Sequence, residues 1–242
     1  MNPLLIEPPV PITDSEPPFH YYDQHPTRED FTGSSAVQGH LVRYLVSLLE
    51  WHYRAEGWFI AADLNIYRRK QRNEYPVAPD VALFKGVVVN DVGQRTFRSW
   101  RLYEPDRPPP QVVFEICSDT TWDDDLNKKP AKYATLGVQE YYRYDPNEPP
   151  YLPAAGGRLR GWHLVGGVLV PQPLGSDGRL WSPALQAFLV PDGLYLRCYD
   201  QHDRRWLTQA EAERAAKEAE RAAKEAAWAK LRELGIDPTT LD

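Results

Sequence analysis

The sequence predicts an α/β fold, with a mixed central sheet flanked by helices, added antiparallel hairpins and a C-terminal helix. Three observations predict it. An amphipathic helical stretch precedes the first apolar runs. Those short apolar runs then alternate with helical patterning, and paired turn signals punctuate the chain beyond Pro146. An order of helix, strands, helix, strand and then hairpins is what an α/β core with antiparallel additions produces.

The elements follow in order. Residues 1–28 hold Pro3, Pro8, Pro9, Pro11, Pro17, Pro18 and Pro26 with little periodicity, which predicts an extended arm carrying Phe19, Tyr21 and Tyr22. From Ser35 to Glu56, Val37, Leu41, Tyr44, Leu45, Leu48 and Leu49 recur at helical steps and make one apolar face. After Gly57 the texture becomes that of a strand, from Trp58 to Tyr67, followed by a basic polar loop of Arg68, Arg69, Lys70, Gln71, Arg72 and Asn73. Val81 to Phe84 and Val112 to Cys117 are further strands. The second of these is almost continuously apolar, as a strand buried on both faces should be. A helix is expected between Asp123 and Leu136, closed by Gly137, and a strand from Gln139 to Asp145.

Beyond Pro146, Trp162 to Val165 and Val168 to Val170 flank Gly166-Gly167, a strong hairpin signal. Asp177-Gly178 and Asp192-Gly193 mark turns, and Leu194 to Tyr199 reads as a strand. The tail differs in kind: Ala212 to Glu218 reads AERAAKE and Ala219 to Glu225 repeats it letter for letter. This repeat predicts a helix, either solvated along its length or self-associating as a zipper helped by Trp228, Leu231 and Leu234.

Composition excludes several classes. No run of about 18 apolar residues exists to span a membrane, and no basic region followed by an apolar core marks a secretory signal. The two cysteines, Cys117 and Cys198, lack metal-ligand spacing and suit a reducing cytoplasm. A formal net charge of −6 counts against a tight sequence-independent DNA binder, because phosphate neutralisation supplies most non-specific affinity. It does not exclude a nuclease whose carboxylates hold metal. No phosphate-cradling glycine loop is present.

Two charges stand where charge is expensive. Asp80 follows Pro79 at the entry to an apolar strand, and Glu115 lies inside one. Buried carboxylates require a cation or hydrogen-bond donors. A pair of them on neighbouring strands with a lysine nearby forms a natural site for a hard divalent cation. Either carboxylate alone has an ordinary structural reading, as a salt-bridge partner or a turn residue.

The ordered set is more specific. APDVALFKG (Ala78 to Gly86), VVFEICSDTT (Val112 to Thr121), DLNKKPAKY (Asp125 to Tyr133) and GVQEYYRYDP (Gly137 to Pro146) resemble the Uma-type restriction endonucleases of bacteria. That family is a branch of the PD-(D/E)XK nuclease superfamily. The helix bearing His40 resembles the family's first helix, and Tyr195 to Thr208 its closing segment. The resemblance implies a restriction-endonuclease-like core over 29–207, between the arm and a helical tail at 208–235 that leads to a C-terminal end at 236–242. It also implies Mg2+, with Mn2+ as a substitute, held by Asp80, Glu115 and the main-chain carbonyl of Ile116.

Two departures stand out. The superfamily's lysine two residues after the glutamate is replaced by Cys117. In this branch the lysine is displaced to the following helix, between an aspartate and a tyrosine, which picks out Lys129 between Asp125 and Tyr133. Pro130 then disfavours helical geometry at Lys129 and sets it at a helix start, leaving Lys128 and Lys132 as alternates.

Other residues rank lower. His40 reads as a site residue or as a hydrogen-bonded core histidine. Ser118, Thr120 and Thr121 read as capping residues or phosphate contacts. Arg68, Arg69, Lys70 and Arg72 read as a solvated loop or a DNA-backbone contact. Asp123, Asp124 and Asp125 favour the positive end of the following helix, and Cys117 reads as a small core residue.

The expectation is therefore a cytoplasmic, metal-dependent DNA endonuclease with Asp80, Glu115 and Lys129 as catalytic residues, working as a homodimer. A catalytically silent interaction or DNA-binding protein on the same scaffold is the alternative. A glycosidase using paired carboxylates fits the strand–strand–lysine order less well.

Overall fold

The computed structural model describes residues 36–71, 74–87, 98–118, 126–151 and 157–235. The Pro-rich arm, Arg72 and Asn73, Thr120 and Thr121, Asp123 to Asp125 and the end at 236–242 lie outside the described residues.

Helix α1 (Ala36–His52) buries Leu41, Val42, Leu45, Leu48 and Leu49, the stripe that helical periodicity picks out. It ends earlier than the expected Glu56. The chain leaves it through a further turn that stops at Gly57, whose φ of 63° suits glycine. The single strand expected from Trp58 to Tyr67 is instead two, β1 (Phe59–Ala61) and β2 (Asn65–Tyr67). Asp63 breaks it: its φ is 49°, and its N–H turns to the carbonyl of Pro79 at 3.1 Å rather than to a strand partner.

Next come β3 (Val81–Phe84), β4 (Ser99–Arg101), β5 (Val112–Ile116), α2 (Lys129–Leu136) and β6 (Glu140–Tyr144). The hairpin strands are β7 (Leu159–Val165) and β8 (Val168–Pro171), then β9 (Leu180–Ser182), β10 (Ala187–Asp192) and β11 (Tyr195–Tyr199). Helix α3 (Gln209–Glu233) closes the described chain.

Six strands form the central sheet in the order β1-β3-β5-β6-β7-β8. Only β5 and β6 run parallel in it. Parallel neighbours need a crossover, and α2 supplies it. A three-stranded antiparallel sheet (β11-β10-β9) and a small parallel pair (β2-β4) complete the layers. The expected mixed sheet, antiparallel additions and C-terminal helix are all present.

Alternate side chains of the central strands feed two cores. Val81, Leu83, Phe114 and Ile116 pack with α1 and the three-stranded sheet. Ala82, Phe84, Val113 and Tyr141 pack with Tyr133 and Leu136 of α2 and with Ile66 and Trp100 of the β2-β4 layer. Buried on both faces, β3, β5 and β6 have no solvent side, which is why alternation is missing from their sequences.

Helix α3 has no buried residue. Its start is fixed by a capping box: Thr208 accepts from the N–H of Glu211, and the Glu211 carboxylate accepts from the N–H of Thr208 at 2.9 Å. Beyond the half-buried Ala212, the alanines of the seven-residue repeat face solvent. Among the described residues no helix is long and apolar enough to cross a membrane.

Candidate active site

Strand register builds the site. In the antiparallel β3–β5 pair Val81 lies opposite Phe114, so one step further Asp80 lies opposite Glu115. Asp80 shares a sheet face with Ala82, and Glu115 shares it with Val113, because side chains alternate along a strand. Both carboxylates therefore emerge on the α2 side, at the same end of the sheet. Glu115 is 3% exposed and Asp80 9%.

Burial, and then the charge of Glu115, push the Asp80 carboxyl well above the ordinary carboxylate range. The N–H of Ile116 and the charge of Lys129 pull the other way. That N–H donates to Asp80 Oδ2 at 2.6 Å. Glu115 has two partners from one helix: Lys129 Nζ stands 2.8 Å from Oε1, and the hydroxyl of Tyr133 donates to the same oxygen. Lys129 and Tyr133 are four residues apart, so α2 presents both on one face.

The position of Lys129 follows from Pro130. Lys129 is the first residue of α2, where proline at the next position costs nothing because the first helical N–H groups lack partners anyway. The alternates Lys128 and Lys132 are exposed. Gly137 ends the helix with φ of 82°, donating its N–H back to Ala134 at 3.0 Å, as its expected capping role requires.

Two neighbours escaped the sequence reading. Gln38 on α1 reaches across the strand ends: its Nε2 lies 3.1 Å from Asp80 Oδ1 and 3.4 Å from the carbonyl oxygen of Ile116. The signal was present, since Gln38 precedes Leu41 and Leu45 by three and seven residues on the buried stripe. Asp63, at the turn between β1 and β2, is close enough for its charge to raise the Asp80 carboxyl further. No sequence pattern announces it.

His40 is not at this site. Two positions on from Gln38, it points away, is exposed, and pairs with the hydroxyl of Tyr195 at 3.0 Å. The helical rotation of about 200° over two residues is the reason. Cys117 is buried and accepts from Arg143 Nη2 at 2.8 Å, the setting of a core residue. Arg68, Arg69 and Lys70 are exposed on the loop after β2, where the Glu74 carboxylate accepts the N–H groups of Arg68 and Arg69 at 3.0 and 2.7 Å.

Comparison with known proteins identifies the family. The model of the Uma2 family, described as "Putative restriction endonuclease", matches residues 27–188. The chain belongs to the Uma2 family. The match takes in α1, the β3–β5 pair and α2, and so every residue of the site. A solved structure described as a putative nuclease of the DUF820 family, from Anabaena variabilis, is 12% identical. The two align over 62% of this chain and 74% of that one, with a TM-score of 0.42. No curated protein matches the sequence.

The donor set suits a hard divalent cation. Two carboxylates and a main-chain carbonyl are all oxygen donors, and Mg2+ commonly completes such a partial shell with water. Among the described residues no group of three or more His, Cys, Asp or Glu side chains could hold a metal.

Proposed function

We propose that this Uma2-family protein is a divalent-metal-dependent endonuclease that hydrolyses DNA phosphodiester bonds. The observation that carries the reading is the meeting of Asp80, Glu115 and Lys129 at one strand end, with both carboxylates buried side by side. Asp80, Glu115 and the Ile116 carbonyl hold the cation, Mg2+ or, in its place, Mn2+. When bound, it polarises the phosphodiester and lowers the pKa of an attacking water.

The chain's own residues do the rest. Tyr133 and Lys129 fix the rotamer of Glu115 through its Oε1. The N–H of Ile116 fixes Asp80 through Oδ2. The Lys129 side chain is 21% exposed, and its ammonium stabilises the charge that develops on a phosphate oxygen. Lysine serves from α2 as well as from β5, because it acts as a point charge on a flexible stem. Cutting both strands of a duplex calls for two sites, which a homodimer supplies.

The test is divalent-metal titration calorimetry on wild type and Glu115→Ala, with plasmid nicking on the same samples. Binding that vanishes in the variant, with nicking by wild type alone, supports the reading. A wild type that binds no divalent metal and nicks no DNA form sinks it.

A further inference from the structure

Gln38 touches two of the three ligand groups proposed above for the cation, and it does so with a hydrogen-bond donor. Its Nε2 is 3.1 Å from Asp80 Oδ1, 3.4 Å from Oδ2 and 3.4 Å from the carbonyl oxygen of Ile116. The Ile116 carbonyl accepts only, so the nitrogen end of the amide must face it, and the same NH2 group donates to the ionised Asp80 carboxylate. A primary amide has two N–H groups, enough to address a carboxylate and a carbonyl together. A cation held by those same oxygens claims the space that these N–H groups fill. The amide and the metal cannot both keep their places.

The other end of the amide resolves the conflict. Gln38 ends in a soft torsion with roughly two-fold wells, so a half-turn exchanges nitrogen for oxygen without moving α1. An amide carbonyl is a hard oxygen ligand of the kind Mg2+ and Ca2+ accept. We propose that Gln38 is a two-state positioning residue of the metal site. Its nitrogen stands in for the cation between Asp80 and Ile116 in the metal-free protein, and its carbonyl oxygen turns toward the cation when one enters.

The residue type matches this double role. Glutamate at position 38 would set a third negative charge beside Asp80 and Glu115. Leucine would leave Asp80 without its side-chain donor, and lysine would occupy the cation's place permanently. Glutamine satisfies the buried acids when no metal is bound and can still yield. The inference rests on the metal-binding reading of the site, and its test separates the two.

The side-chain NH2 resonances of 15N-labelled glutamine, assigned with Gln38→Leu, are followed in wild type during Mg2+ titration. Calorimetry of wild type and Gln38→Glu runs alongside. The Gln38 pair is expected to begin protected from solvent exchange and to shift and lose protection as Mg2+ saturates the site. Gln38→Glu is expected to bind Mg2+ about tenfold more tightly, because ligand charge strengthens such sites. If wild type binds Mg2+ while the Gln38 resonances stay in place, the two-state role is wrong and the metal reading survives. Unchanged or weakened Mg2+ affinity in folded Gln38→Glu would also overturn it. A wild type that binds no Mg2+ overturns both.

Discussion

Lys129→Met removes an ammonium while keeping much of the side chain's apolar length. In the protein, Lys129 Nζ sits 2.8 Å from Glu115 Oε1, with the lysine side chain 21% exposed and the glutamate 3%. Deleting one member of a buried ion pair costs about 3–5 kcal/mol, because the other charge stays buried without its partner. Two features lower that figure: the lysine is partly solvated, and Tyr133 still donates to the same oxygen. Hydrogen bonds to charged groups contribute about 1.5–3 kcal/mol, which sets the expected loss near 2 kcal/mol in metal-free protein. Urea denaturation measures it as a lower midpoint with an unchanged slope. Single-turnover plasmid cleavage should fall about 10²–10³-fold, the usual effect of losing one preorganised electrostatic donor. The exposed Lys132 gives the control, and Lys132→Met should stay within about 0.5 kcal/mol of wild type and cleave normally. Normal stability and cleavage in Lys129→Met would refute the reasoning, as would loss of cleavage in Lys132→Met instead.

Tyr133→Phe keeps the ring against Tyr141 but deletes the hydroxyl on Glu115, so metal-free protein should lose about 1–3 kcal/mol by urea titration. Glu140→Ala should cost about 3–5 kcal/mol, since this carboxylate accepts from Tyr142 at 3.0 Å, from the N–H of Ala184 at 2.8 Å and from Ser182. Glu140 lies at the far end of β6 from the site, so cleavage per folded molecule should not change, and a large change would show the two ends to be coupled. Burial holds the His52 imidazole, stacked on Trp206 at 3.4 Å, below its usual pKa. The unfolded chain thus binds the proton more readily, so this stability is complete above the unfolded value of about 6.5 and is lost as pH falls through the folded value. Thermal melts of His52→Phe should show a shallower decline between pH 7 and pH 5 than wild type. An equal decline in both would remove His52 from the account.

Much of the fold was legible because its signals are local. Val81 to Phe84 appears at the bounds its apolar run suggests, and Gly166-Gly167 makes the turn between β7 and β8. What failed depended on contacts distant in sequence. Nothing near Asp63 says that its N–H will find Pro79 and split a strand in two. At the site, Asp80 and Glu115 were conspicuous as charges in apolar surroundings. That they face each other depends on a register fixed by pairing Val81 with Phe114, which no sequence motif states. Gln38 lay within reach of helical periodicity, but a neutral amide on a buried stripe carries no charge to draw notice, whereas His40 does. Arg143 is buried beside Cys117, one strand over from Glu115, and only the parallel register of β5 and β6 reveals it.

The cost of this site bears on what it is for. An apolar pair at positions 80 and 115 would join the Ala82–Val113 core and remove both the desolvation and the repulsion between two acids. The chain keeps the acids and holds them with Ile116 N–H, Gln38, Tyr133 and Lys129, yet burial and Glu115 still leave Asp80 with a raised pKa. Donors of this strength hold the carboxylates in place without removing their mutual repulsion. A scaffold that served only to bind a partner would gain stability by losing them. The arrangement makes physical sense when a divalent cation returns the energy. At a concentration one hundred times its dissociation constant, a ligand stabilises the native state by about 2.7 kcal/mol. On the proposed reading, stability forgone in the metal-free protein would be recovered on binding, and the fold would carry the cost of keeping the site ready for a cation.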